Sequence, residues 1–304
     1  MLKAKNVTKT YDSGKKVALQ DFSIHVPQSE IYGLLGPNGA GKTSFIRILN
    51  QITQADKGEI LIDGKSLHQN HIRDIGYMPE ERGLYKNMTV GDQIIYFGEL
   101  KGMSKKEAID QAKIWFEKLE IDLWWKKKLS ELSKGMAQKI QFVVTVLHQP
   151  KLLILDEPFS GFDPVNANLI KDQIIDLKNN GTTIILSTHR MESVEEMCDS
   201  IAMIHQSKKI IDGKVFEVRE KFKKNVFDVI LNKVDEEKLA HFQQRFPIEK
   251  ITQKNGLTYF EMNSTNDQEK LFSELLQVGE IRSFDEKIPS MNEVFIQAIK
   301  QNEN

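Results

Sequence analysis

The sequence predicts an α/β protein in which a mostly parallel sheet carries an inserted helical segment, followed by a small α+β domain. Short apolar runs alternate with segments of helical periodicity, as in successive βαβ units. Residues from about 84 to 135 lack strand alternation and are rich in helix formers. Beyond about residue 215, short strand and helix patterns alternate without further motifs. We therefore expect one domain at 1–215, with its helical subdomain at about 84–135, and a second at 220–304.

The N-terminal part begins with strands of two kinds. From Val17 to Val26, apolar and polar residues alternate, which predicts a half-buried strand. Ile31 to Leu35 is a continuous apolar run, which is typical of a strand buried on both faces. Apolar residues from Phe45 to Ile52 then recur at helical spacing. Strand, glycine-rich loop and helix thus follow one another directly.

The later elements continue the same pattern. In the helical segment, Ile114, Trp115, Leu119 and Leu123 recur at roughly helical intervals. The α/β pattern then resumes with a helix at 138–147, the strand KLLILD, a helix at 166–177 and the strand TTIILST. The C-terminal part offers the strands FDVIL and LTYFEM and the helices EEKLAHFQQRF and DQEKLFSELL.

Composition excludes several classes of protein. The 304 residues include 42 basic and 43 acidic side chains, so no global charge attracts nucleic acid or anionic lipid. No apolar stretch approaches the roughly 18 residues that span a bilayer. Cys198 is the only cysteine, and the first residues lack the apolar core of a secretory signal. We expect a chain in the reducing cytosol that reaches a membrane only through a partner.

The strongest motif is a glycine-rich loop between the buried strand and the first helix. It matches G-x-x-x-x-G-K-[ST] and consists of Gly36, Pro37, Asn38, Gly39, Ala40, Gly41, Lys42 and Thr43. Its glycines allow the backbone N–H groups to approach phosphate oxygens closely. Lys42 is expected to contact the β- and γ-phosphates, Thr43 to bind Mg²⁺, and Ser44 to donate to a phosphate.

Two adjacent carboxylates end a later apolar strand. In LLILDEP, Asp156 and Glu157 are expected at the carboxyl edge of the sheet, beside the phosphate loop. Asp156 is predicted to hold Mg²⁺, and Glu157 to polarise an attacking water. Together with the loop, the pair predicts hydrolysis of a nucleoside triphosphate.

A further segment gives the chain a family resemblance. LSKGMAQ, which begins at Leu132, resembles the signature motif of the ABC ATPases, usually LSGGQ. The order of motifs over about residues 1–215 is also similar to that family: phosphate loop, GYMPE, LSKGM, LLILDEP, SGFD and a late histidine. The resemblance implies a P-loop NTPase cassette with N-terminal antiparallel strands.

The resemblance also implies a dimer in which each ATP is enclosed by two copies. One copy would supply the phosphate loop, and its partner the signature residues Ser133, Lys134, Gly135 and Met136. His189 would be the switch residue at the γ-phosphate, and Tyr11 would stack on adenine. Ser160, Gly161 and Asp163 would form the loop across the dimer contact. From the residues alone, a satisfied local donor is the better interpretation of His189 and a core ring that of Tyr11; the order of motifs favours the functional roles.

Two positions depart from the family pattern. Glu80 in GYMPEERGLY occupies the position that resembles the family's glutamine loop, and we expect it to ligate Mg²⁺ although it carries no amide donor. Lys134 replaces a glycine in the signature, and Met136 precedes Ala137 where the family has glutamine nearby. Because Ser133 and Gly135 are kept, we expect a working site.

The resemblance implies ATP and Mg²⁺ as cofactors and integral membrane permease subunits as partners, at the cytoplasmic face of the plasma membrane. PEERGLY, FSGFDPVN and PSMNEVFIQAI are similar to ATPase subunits of exporters of the sodium-efflux type. The alternative is a non-transport ABC ATPase that acts on the ribosome or DNA. A single cassette without long heptads or zinc cysteines favours the transporter. Cargo is chosen by the membrane subunits and stays open.

One motif fits neither function directly. Trp124 and Trp125 are followed by lysines at 126, 127 and 128, which predicts a buried ring beside solvated lysines. Contact with a membrane surface is the alternative interpretation.

Overall fold

The computed structural model describes residues 1–81, 83–263 and 268–303. Its strands are β1 (Leu2–Tyr11), β2 (Lys16–Val26), β3 (Ile31–Leu35), β4 (Lys57–Ile62), β5 (Lys65–Ser66), β6 (Ile75–Met78), β7 (Leu152–Asp156), β8 (Thr183–Thr188), β9 (Ser200–His205), β10 (Lys208–Lys214), β11 (Val226–Asn232), β12 (Ile248–Lys254), β13 (Leu257–Asn263) and β14 (Glu280–Glu286). Its α-helices are α1 (Lys42–Leu49), α2 (Val90–Leu100), α3 (Lys105–Leu119), α4 (Lys134–Val146), α5 (Pro164–Asn179), α6 (Met191–Met197), α7 (Val215–Lys221), α8 (Glu236–Arg245), α9 (Gln268–Val278) and α10 (Met291–Glu303).

Two sheets share one hydrophobic core in the first part of the chain. An antiparallel sheet has the order β2-β1-β4-β5, and a larger sheet has the order β10-β9-β3-β8-β7-β6. In the larger sheet, β9, β3, β8, β7 and β6 run parallel, and only β10 pairs antiparallel. Side chains from both sheets and from α1 form the core, including Phe22, Tyr32, Phe45 and Ile154. This is the predicted mixed, mostly parallel sheet with antiparallel strands near the N-terminus.

Polar caps fix where several helices begin. Thr89 accepts a hydrogen bond at the start of α2, and Ser104 forms a capping box with Glu107 at the start of α3. Asp163 caps α5, whose first residue is Pro164. These caps set the boundaries of the helical segment and of the helix that follows the Asp156 strand.

Two apolar residues do not lie where their spacing predicted. The first helix ends at Leu49, and Ile52 beyond it is 63% exposed. Helix α3 ends at Leu119 with Glu120 in the left-handed region, so Leu123 lies in a 3₁₀ turn and is 88% exposed. The helical spacing of apolar residues continues past both helix ends, because such spacing carries no information about the residue at which a helix is capped.

The chain divides into two compact units, Met1–Val215 with the residues from Gln297 onward, and Phe216–Ile296. The second unit is a βαββαβ arrangement with the antiparallel strand order β12-β13-β11-β14. Its own core joins Phe227, Val229 and Leu231 of β11 to side chains of α8 and α9. Within the described ranges, no helix has the length and apolarity that a membrane span requires.

Candidate functional site

Four neighbouring parallel strands end at one edge of the larger sheet, and each is followed by a predicted site residue. Strand β3 leads into Gly36, and β8 leads into His189. Strand β7 ends in Asp156 and is followed by Glu157, and β6 is followed two residues later by Glu80. Because carboxyl ends of parallel strands meet at the same edge, the order β3-β8-β7-β6 gathers these groups.

The glycines of the phosphate loop are required by close backbone contacts. Gly36 has φ 147° and Gly41 has φ 124°, both unfavourable for other residues. A Cβ at Gly36 would lie 2.2 Å from the carbonyl oxygen of Ile204, and one at Gly41 would lie 2.2 Å from that of Ala18. Gly41 also precedes α1 without a side-chain cap, so the first N–H groups of the helix are available to an anion.

Lys42 is a buried cation at this edge. Its Nζ donates to the carbonyl oxygen of Gly36 at 2.6 Å and to that of Pro37 at 3.2 Å. Burial lowers the pKa of Lys42, and the negative charges of Glu157, Asp156 and Glu80 oppose that effect. All three predicted carboxylates therefore act electrostatically on the loop lysine, as expected of groups that share a site with phosphate and metal.

A cleft of about 420 Å³ opens beside the loop. Its walls are formed by Tyr11, Asp12, Lys16, Ala18, Asn38, Gly39, Gly41, Lys42, Thr43, Ser44 and Arg47. The structure thus brings Tyr11 to the phosphate loop, where its ring can border a base. Its buried hydroxyl has no hydrogen-bond partner among the residues that the structure describes. Lys16 and Arg47 were missed by the sequence reasoning, although Arg47 lies one helical turn after Thr43.

Asp156 and Glu157 have different surroundings. Burial raises the pKa of Asp156, so a nearby cation would favour its ionised form. Glu157 has φ 49°, and its carboxylate accepts three hydrogen bonds. The donors are the Thr188 hydroxyl at 3.1 Å, the His189 backbone N–H at 2.9 Å and His189 Nδ1 at 2.6 Å. Thr188 was not anticipated, although it stands beside His189 in LSTHR.

The predicted metal ligands fit a divalent cation. Thr43 is exposed in the first turn of α1 and lines the cleft. Asp156 and Glu80 both act on the Lys42 ammonium group through their negative charges. Hydroxyl and carboxylate oxygens are the ligands that Mg²⁺ prefers. Glu80 is exposed, and Arg82 of the GYMPEERGLY motif lies outside the described residues.

The signature residues lie apart from the phosphate cleft, next to the predicted dimer loop. Ser133 caps α4 by accepting a hydrogen bond from the Met136 N–H at 3.2 Å. The methylene stem of Lys134 covers Gly161, where a Cβ would lie 2.6 Å from Lys134 Cε. None of the residues from Ser133 to Met136, nor from Ser160 to Asp163, lines the phosphate cleft.

Comparisons with known proteins agree with this geometry. Residues 19–160 match the family model described as ABC transporter, and residues 213–299 match that of the ATP-binding protein DrrA1-3-like, C-terminal domain. The linearmycin resistance ATP-binding protein LnrL of Bacillus subtilis (strain 168) is 34% identical over 70% of this chain and 69% of its own. A solved structure titled as the ATP binding subunit of an ABC transporter is 28% identical, with a TM-score of 0.68, and covers 73% of this chain and 93% of its own.

A further relative spans almost the whole chain. YhaQ of Bacillus subtilis (strain 168), described as an uncharacterized ABC transporter ATP-binding protein, is 39% identical over 98% of both chains. The resemblance thus extends through both compact units and is not confined to the phosphate loop. This chain belongs to the ABC transporter family, as an ATP-binding subunit.

Proposed function

We propose that the chain hydrolyses ATP with Mg²⁺ as a dimer and drives separate membrane-spanning subunits of an exporter. The observation that carries this proposal is the separation of two half-sites. Glu157 acts electrostatically on Lys42 of the phosphate loop, whereas Lys134 of the signature packs on Gly161 of the dimer loop, and neither Lys134 nor Gly161 lines the phosphate cleft. A second copy would bring the two halves together.

The residues at the sheet edge account for hydrolysis. The loop N–H groups and Lys42 bind the triphosphate, and Tyr11 borders the adenine ring. Glu157, fixed by Thr188 and His189, orients a water for in-line attack and accepts its proton. Thr43, Asp156 and Glu80 would hold Mg²⁺, which supplies charge neutralisation at the phosphates when bound.

The partner's half would complete the phosphate environment. The N-terminus of α4 presents backbone N–H groups and the Ser133 hydroxyl, and Lys134 adds an exposed cation. Ser160, Gly161 and Asp163 lie beside them and would cross the dimer contact. The closed dimer is favoured only to the extent that ATP binds it more tightly than the open form.

An apolar cleft of about 380 Å³ supports coupling to a membrane-spanning subunit. It is bordered by Tyr77 of β6, by Pro79 and Leu84 of the loop that carries Glu80, and by Phe97 and Leu100 of α2. Leu100 is 61% exposed, and such exposed apolar surface is typical of a protein interface. A partner seated there would contact the Glu80 loop directly, and so sense the nucleotide.

The names of the relatives fit an exporter subunit at the cytoplasmic face of the membrane better than an ATPase that acts on the ribosome or on DNA. LnrL is named for linearmycin resistance, and YhaQ is named as a transporter protein. Neither name concerns translation or DNA. The cargo of this chain, whether sodium, a drug or a lipid, is left to the membrane subunits.

Mixed dimers test the composite site. Lys42→Ala disables the phosphate loop, and Ser133→Glu places a negative charge where the γ-phosphate would bind. A dimer of two covalently linked copies, with one substitution in each copy, should keep one intact site and about half of wild-type hydrolysis. The matched control pairs a wild-type subunit with one that carries both substitutions. It should hydrolyse almost no ATP, because both composite sites are broken.

A site complete within one subunit would reverse the two results. The dimer with divided substitutions would then be inactive, and the control would keep about half of the activity. That reversal would refute the composite site while leaving hydrolysis itself intact.

A further inference from the structure

The turn that follows α3 presents an apolar residue fully to solvent. Leu123, in the 3₁₀ turn Asp122–Trp124, is 88% exposed, more than any other large apolar side chain in the described ranges. Trp124 and Trp125 follow it and are half-buried. A single exposed leucine is common on protein surfaces, so the meaning of Leu123 depends on the residues around it.

This turn is held firmly to the rest of the helical segment. The Val90 N–H donates to the Lys127 carbonyl and the Gly91 N–H to the Trp125 carbonyl, both at 2.9 Å. The Trp125 ring covers Gly91, where a Cβ would lie 2.4 Å from the indole. The ring also lies 5.8 Å from that of Phe116. Trp125 therefore anchors the turn, and Leu123 projects from a fixed base.

Three lysines extend the exposed tip. Lys126, Lys127 and Lys128 are exposed, and their ammonium groups have no ion pair or hydrogen bond within the described parts of the chain. Glu120, Asp122 and Glu131 are the nearby acidic residues in the sequence, and Glu131 accepts a hydrogen bond from the Lys128 backbone N–H. The stretch 123–128 itself contains no acidic residue.

We propose that the loop of residues 123–128 contacts a bilayer surface that carries anionic headgroups. Leucine enters the headgroup boundary, and each lysine near an anionic leaflet gains electrostatic attraction. A protein partner would be expected to supply acidic side chains, whereas an anionic leaflet supplies both the apolar layer and the charge. This contact would be additional to attachment through a permease. It assigns residues 123–128 to the membrane-surface interpretation of the Trp-Lys motif.

Vesicle binding of the purified full chain tests the proposal. We expect cosedimentation with equimolar phosphatidylcholine and phosphatidylglycerol vesicles, and much weaker binding to phosphatidylcholine alone. Replacing Lys126, Lys127 and Lys128 with Ala should lower the partition coefficient roughly 10- to 100-fold. Leu123→Ser should lower it about 3- to 10-fold without altering charge.

Matched controls separate local from general effects. Replacing the exposed Lys65, Lys105 and Lys106 with Ala removes the same charge elsewhere, and Leu276→Ser removes another exposed leucine. Neither control should change binding by more than about twofold. Equal binding to both vesicle types, or equal losses in loop and control variants, would overturn the proposal. So would binding by the loop to a membrane-spanning subunit in detergent but not to vesicles.

Hydrolysis measured on the same proteins keeps this proposal distinct from the proposed function. Residues 123–128 include none of the groups proposed to bind phosphate, Mg²⁺ or the dimer partner, so ATP turnover by the isolated chain should be unchanged in every variant of this loop. Loss of turnover without loss of vesicle binding would argue against the lipid contact as the role of the loop.

Discussion

The carboxylate of Glu157 is restrained more tightly than its position at a strand end requires. Its left-handed backbone turns the chain at the carboxyl edge, and its own N–H donates to the Ser187 carbonyl at 2.9 Å. The side chain then accepts hydrogen bonds from both Thr188 and His189. As the proposed base, a carboxylate held in this way would lose little freedom when a substrate water is oriented, which favours attack along one line.

Replacing this base should slow the chemical step selectively. Glu157→Gln keeps the size of the side chain and an acceptor oxygen but cannot take a proton, so ATP hydrolysis should fall about 10²- to 10⁴-fold. ATP affinity, measured by equilibrium binding, should stay within about threefold of wild type because the loop contacts are untouched. Glu192→Gln, an exposed position on α6, is the matched control and should hydrolyse ATP normally. Turnover near the wild-type rate in Glu157→Gln would show that another group is the base.

At the residue scale, the sequence predicted the phosphate loop and the Asp-Glu pair because each is a local motif with a fixed place after a strand. It could not predict the hydrogen bond between Glu157 and His189, since those residues meet only through the pairing of β7 with β8. The packing of Lys134 on Gly161 is likewise a tertiary contact between two motifs. Sequence spacing reports such contacts only indirectly.

At the scale of elements, Asp56 holds the end of β1 next to Tyr11, which borders the phosphate cleft. Asp56 accepts hydrogen bonds from the Thr10 N–H at 2.6 Å, the Thr10 hydroxyl at 2.8 Å and Lys9 Nζ at 2.8 Å. These bonds lower the pKa of Asp56 to about 2, led by the bond from Lys9. Because Tyr11 follows Thr10, Asp56 supports the wall of the cleft.

The lowered pKa gives a pH-dependent contribution to stability. The ordinary pKa of an aspartate is about 3.9, so the ionised native form is favoured above about pH 4 and that advantage is lost as the pH falls toward 2. Asp56→Asn should lower Tm by about 1 to 3 °C at pH 7, a modest effect because the pair is partly exposed. Denaturant titrations should show that the difference in free energy of unfolding between wild type and Asp56→Asn narrows as the pH is lowered below about 4. Asp63→Asn, at an exposed turn, should show neither effect, and a gap that widens in acid would contradict the assignment.

Element boundaries were the part of the fold least accessible to the sequence. The apolar period continued through Ile52 and Leu123, but the helices end at Leu49 and Leu119 because local backbone geometry stops them there. Glu120 adopts the left-handed conformation without being a glycine or asparagine, so composition gave no stop signal. The exposed Leu123 that results is the basis of the proposed lipid contact.

At the scale of the whole molecule, the proposed composite site implies an assembly with twofold symmetry. The same pair of surfaces must occur on both copies, so one closed dimer contains two equivalent composite sites. The formal net charge of -1 opposes such an association only weakly. Because ATP lies in the interface of the proposed dimer, we expect dimer formation to depend on nucleotide.

The nucleotide dependence of the dimer can be measured once hydrolysis is blocked. Glu157→Gln with Mg²⁺ and excess ATP should sediment as a dimer, and without nucleotide as a monomer, because ATP then bridges both half-sites without being consumed. Adding Ser133→Glu to the same chain should return it to the monomer while ATP still binds the phosphate loop. A protein that stays monomeric with ATP bound at high concentration would rule out the shared site. A dimer of equal strength with and without ATP would place the dimer contact elsewhere than at the phosphates.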